Sequence, residues 1–138
     1  MNNSNNTTCN DGIRDILKTI LILQKESNIP ENCLDTCDKR SLGTIPAICG
    51  YNTRPITIYL CGCCNNRLEM PISRNPLETT SSPVFRIEKL DEDTATFRVL
   101  IANDGDPVTY TATDSFFTVD IDCICVLKCL GDTFVESV

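Results

Sequence analysis

Histidine and tryptophan are both absent from the 138 residues. Without histidine there is no Ser/His/Asp triad, no Cys/His nucleophile pair and no mixed Cys/His metal site. Positive charge is scarce. Lys and Arg number 12 against 19 Asp and Glu, a net charge of −7. Sequence-independent contact with nucleic acid needs Lys and Arg against phosphates, so nucleic acid is not an expected partner. Apolar runs are short: none approaches the ~20 residues of a membrane helix, and membrane insertion is not expected. Residues 1–10, MNNSNNTTCN, lack the basic start and apolar stretch of a secretory signal. Cys-x-x-Cys does not occur and the pattern is not βαβ, which argues against a thioredoxin-like enzyme. No other constellation supports catalysis, so an enzyme is not expected.

What the chain has in quantity is cysteine, with ten residues. That density suits an oxidising environment, whereas cytosolic thiols stay reduced. The expected setting, a cytosol reached without a signal peptide, is therefore at odds with the cysteine content of a disulfide scaffold. Either the cysteines bind metal, or the protein meets oxidant later without crossing a membrane. The apolar share of 41% is enough for one core.

Residues 1–10 read as a disordered arm, and residues 11–138 as a single cysteine-rich domain. Ile13, Ile16, Leu17, Ile20 and Leu21 follow helical spacing over residues 11–26. Asn10 or Asp11 can cap the start, and Asn28-Ile29-Pro30 ends the helix. Beyond the loop-like residues 30–50 the period becomes two. Ile56, Ile58 and Leu60 alternate with polar residues, as do Leu68, Met70 and Ile72. Cys61-Gly62-Cys63-Cys64-Asn65-Asn66 then forms a hairpin tip. Further strands are predicted over residues 84–90, 94–101, 108–113 and 117–125, separated by Asp-rich or Asn/Gly-rich turns. Short strands at this spacing predict a mainly β fold, a single β-sandwich-like domain with one N-terminal amphipathic helix.

The cysteines divide by position. Cys123 and Cys125 alternate with Asp120 and Asp122, on the face of Val119 and Ile121, and so are expected in the core. Cys129 joins them if the chain turns helical. Core filling and an internal disulfide, for instance to Cys49, both fit this group of Cys49, Cys123, Cys125 and Cys129. Cys61, Cys63 and Cys64 at an exposed tip, and Cys9 on an arm, are placed to bond another chain. Cys33 and Cys37, in a loop, join them as candidates for intermolecular disulfides. A zinc site is the rival reading. Four thiolates are needed, and only Cys33-x₃-Cys37 and Cys125-x₃-Cys129 approach the usual pair spacing. No cofactor is expected. The Asp-rich turns lack the spacing of a calcium loop.

Several segments resemble a known family. Ser82-Pro-Val-Phe-Arg-Ile-Glu88, Phe97-Arg-Val-Leu100, Asn52-Thr-Arg-Pro-Ile-Thr-Ile-Tyr59 and above all Val119-Asp-Ile-Asp-Cys-Ile-Cys-Val-Leu-Lys-Cys-Leu130 are similar to the bacterial spore coat and exosporium proteins CotY, CotZ and ExsY. The likeness covers roughly residues 9–131. It implies a structural protein that self-assembles into an ordered layer, cross-linked by intermolecular disulfides. The partners would be further copies of itself and other coat or exosporium proteins. The implied route is synthesis in the mother-cell cytosol and assembly on the spore surface, with oxidant arriving late. The chain departs from the family pattern at Ser81, Ser82 and Phe116, where relatives tend to carry cysteine, and in its Cys61–Cys64 tip. A divergent member that anchors another surface component is the alternative within the family.

Overall fold

The computed structural model describes residues 11–26, 51–62 and 66–138. Helix α1 (Asp11–Glu26) has the expected bounds. Its inward stripe is Leu17, Ile20 and Gln24, all buried. Strands follow as β1 (Ile56–Leu60), β2 (Met70–Pro71), β3 (Ser81–Ser82), β4 (Val84–Leu90), β5 (Thr94–Asn103), β6 (Thr109–Asp120) and β7 (Ile124–Cys129). Five of them form an antiparallel sheet in the order β6-β5-β4-β1-β7, and β2 and β3 form a separate ribbon. The chain is thus mainly β with one helix near the N-terminus, compatible with a sandwich-like arrangement.

Period two decides which side chains meet α1. Ile56, Ile58, Phe85, Ile87, Phe97 and Val99 project from one face and are fully buried with Leu17 and Ile20. Full burial of each such side chain stabilises by ~1.5–3 kcal/mol. Phe117 completes an aromatic group there, 4.8 Å from Phe85 and 5.4 Å from Phe97 between ring centroids. Polar contacts fix the helix at both ends. The Arg14 guanidinium donates to the backbone carbonyls of Asp91 and Glu92 in the β4–β5 turn. Gln24 donates to the Ile87 carbonyl at 2.9 Å and accepts from the Arg54 amide at 3.0 Å.

The opposite face is covered by the segment after β7. Val135 packs on Val84 and Leu100. The Asn52 side chain makes two bonds of 2.9 Å to the Val135 backbone, one from its amide nitrogen and one to its oxygen. The same face holds a charged cluster. Arg86 and Arg98 are cross-strand partners, and Glu88 bonds both, at 2.8 Å and 2.9 Å. Arg98 also lies over the Phe116 ring, 4.4 Å from its centroid.

The largest departure from expectation lies after residue 108. Two strands were expected, over 108–113 and 117–125. Instead β6 runs unbroken from Thr109 to Asp120, and a 3-10 turn occupies Ile121–Cys123. The turn is capped by the Asp120 side chain, which accepts from the Asp122 amide. It carries the chain to the opposite edge of the sheet, where β7 begins. Alternation fails across such a turn because its residues do not follow the pleat.

Candidate functional site

Among the described residues, the cysteines gather on and beside β7. This strand pairs with β1 in the register Ile56–Cys129, Thr57–Lys128, Ile58–Leu127 and Tyr59–Val126, then slips by one residue before Leu60–Ile124. The slip leaves Cys125 as the extra residue of a bulge. Its sulfur is bonded to Cys61, with Cα atoms 4.9 Å apart. That spacing lies inside the range disulfide geometry accepts. Cys61 stands just past the end of β1, where its amide donates to the Cys123 carbonyl at 2.8 Å. Gly62 follows with a φ of +122°, the left-handed region that favours glycine as the chain turns toward the Tyr59–Arg67 bridge.

Two expectations change here. Cys61, expected to bond another chain, is bonded to Cys125 within its own. Cys123 and Cys129, expected in the core, are exposed free thiols. The turn at Ile121–Cys123 is the cause. It buries Ile121 and Ile124, three residues apart, and leaves Cys123 outside. Cys9, Cys33, Cys37, Cys49, Cys63 and Cys64 lie outside the described residues.

Cys123 and Cys129 cannot bond each other within one chain. β7 alone spans roughly 16 Å between Ile124 and Cys129 at ~3.3 Å per residue. A disulfide needs Cα atoms within ~7 Å. β7 is also an edge of the sheet. Cys125, Val126, Lys128 and Cys129 are all exposed along it. Among the described residues, no group of three or more Cys, Asp or Glu is placed to hold a metal ion. No described helix is long and apolar enough to cross a membrane.

An ion pair that the sequence reading did not find fastens the end of β7. Arg54 and Asp132 face each other with two bonds, at 2.6 Å and 2.9 Å. The hydrogen bond from Arg54 holds the Asp132 carboxyl below the ordinary carboxylate range, against a smaller opposing effect of burial. The same bond raises Arg54. A depressed carboxyl contributes stability above its unfolded pKa and loses it as pH falls through the folded value. Asp132→Asn should therefore flatten the acid limb of the stability curve and leave its shape above pH ~6 unchanged. Denaturant midpoints measured by circular dichroism between pH 2 and 7 check this. Parallel acid limbs for the variant and the original chain would contradict it.

Comparison with known proteins adds one match. The family model described as Spore coat protein Z matches residues 1–111. No curated protein and no solved structure matches.

Proposed function

Because the chain belongs to the spore coat protein Z family, and so to the structural proteins of the spore surface, we propose that it is a self-assembling building block cross-linked to its neighbours by intermolecular disulfides. The observation that carries the cross-linking is the pair of exposed thiols, Cys123 and Cys129, which have no reach to one another. Family membership implies association with other coat components. The finer reading is that copies of this chain associate with each other first. Non-covalent complementarity orders them, and oxidation then makes the contacts permanent. The Cys61–Cys125 bond has a different role: it closes the domain, so that oxidant acts on a shape already set.

The first test is a denaturing gel with and without reductant. Purified, air-exposed protein should give a ladder of multimers that collapses to a single 15.3 kDa band on reduction. A monomer band in both lanes would contradict intermolecular cross-linking.

A further inference from the structure

We infer that Cys61 has two partners within its own chain: the Cys61–Cys125 bond exchanges with a Cys61–Cys123 bond, which moves the free thiol between Cys123 and Cys125. The inference goes beyond the cross-linking reading above and stands whether or not copies of the chain become joined.

Register brings the three cysteines together. Past the bulge, β1 and β7 are in register at Leu60 and Ile124. One step further along the antiparallel pair, Cys61 stands opposite Cys123, and the bond of 2.8 Å from the Cys61 amide to the Cys123 carbonyl joins them there. Antiparallel partners joined through the backbone sit ~5.5 Å apart at Cα, inside the ~4.4–6.8 Å that a disulfide accepts. Cys61 and Cys125 are 4.9 Å apart at Cα. Both cysteines are therefore within reach of Cys61. The three also share a face. Leu60 and Ile124 pack into the core. Their neighbours Cys61, Cys123 and Cys125 turn away from it, and all three are exposed. The Cys61 sulfur lies 3.9 Å from the Asp122 carbonyl oxygen, the group that leads into Cys123.

Chain entropy does not choose between the two bonds. Cys61–Cys123 closes a loop only two residues shorter than Cys61–Cys125 does, and closure entropy depends on loop length through its logarithm. Exchange also needs no oxidant. The Cys123 thiol gives its proton to water, and the thiolate attacks the Cys61 sulfur. The Cys61–Cys123 bond forms as Cys61–Cys125 breaks. Cys125 leaves as a thiolate and takes a proton from water. One disulfide and one thiol are present before and after, so electrons balance. Both forms keep β1 fastened to the strand that follows the turn. What changes is the thiol that is presented. It lies in the turn in one form and on β7 itself, four residues before Cys129, in the other.

The closing experiment holds the full-length oxidised monomer, kept dilute, at pH ~8, where thiolates form, for several hours, the slow end of disulfide exchange. A pulse of N-ethylmaleimide then caps the free thiols, acid stops exchange, and the chain is digested with trypsin without reduction. Cleavage after Arg98 and Lys128 releases Cys123 and Cys125 in one peptide. Fragmentation on either side of Ile124 shows which of the two carries the label and which is bonded to Cys61. Two isomers are expected: label on Cys123 with Cys61–Cys125, and label on Cys125 with Cys61–Cys123. Label confined to Cys123 would overturn the inference, as would label on Cys125 with Cys61 bonded to any other cysteine. Cys123→Ser, which removes the attacking thiol, should lose all label at Cys125; label retained there would also overturn it. Cys125→Ser, oxidised with glutathione disulfide, should form Cys61–Cys123, with circular dichroism confirming the fold. Cys61 and Cys123 left unbonded to each other in that folded variant would count against the inference in the same way.

Discussion

Glu88→Ala is expected to cost about 3–5 kcal/mol of stability, a large share of the 5–15 kcal/mol of an ordinary domain. The reason is where its partners sit. Arg86 is only 6% exposed, and Arg98 only 18%. They stand directly opposite on β4 and β5, so each faces a like charge at close range. Glu88 bridges both guanidinium groups with its two oxygens. Removing it leaves Arg86 buried with only neutral partners, the Thr53 hydroxyl and the Asn52 carbonyl. Desolvation of an uncompensated charge is then opposed by little. The control is Glu69→Ala. Its pair with Arg67 is about half exposed on both sides, and such pairs contribute ~0–1 kcal/mol. Urea denaturation followed by circular dichroism suits a chain without tryptophan. A Glu88 effect no larger than the Glu69 effect would refute the account of this cluster.

Replacing Cys61 and Cys125 together by serine is expected to cost about 4 kcal/mol. The bond closes a loop across a sequence separation of 64. In the chain-entropy treatment, a loop of that size restricts the unfolded chain by about this amount. Changing both residues avoids a new lone thiol that would complicate the measurement. Reductant should bring the original chain down to the level of the double variant and should leave the double variant unmoved. Equal midpoints for the oxidised original and the double variant would mean that the bond adds nothing to the fold.

Local patterns in the sequence carried much of this architecture. Helix α1 was legible because Ile13, Ile16, Leu17, Ile20 and Leu21 recur at helical spacing and a proline follows. β4 was legible because Phe85 and Ile87 alternate with Arg86 and Glu88. The route of the chain after Asp120 was not legible. Val119, Ile121, Cys123 and Cys125 have perfect alternation as text, yet a 3-10 turn interrupts it. The signal was there in Asp120, a residue that accepts backbone bonds at turn starts, but a solvated strand face explains aspartate equally well. Which cysteines meet was also beyond local pattern. Cys61 and Cys125 come together because β1 and β7 are neighbours, and spacing along the chain says nothing of sheet order. Arg54 and Asp132 were missed for the same reason.

The order of strands has a kinetic consequence. β4, β5 and β6 follow one another and pair with near neighbours in sequence, so they close short loops. β1 and β7 must find each other across most of the described chain, the kind of contact that slows folding. The short-range meander can form early, while the β1–β7 pairing is among the last to close. Until then Cys61 and Cys125 are distant, and the strand that carries Cys129 has no edge to present. Oxidation that arrives too soon would trap arbitrary pairs among ten thiols. Oxidation that arrives after β7 has docked meets a molecule whose described thiols are already sorted, Cys61 and Cys125 facing each other and Cys123 and Cys129 facing out. Timing, as much as position, then decides whether the product is a single defined species or a mixture.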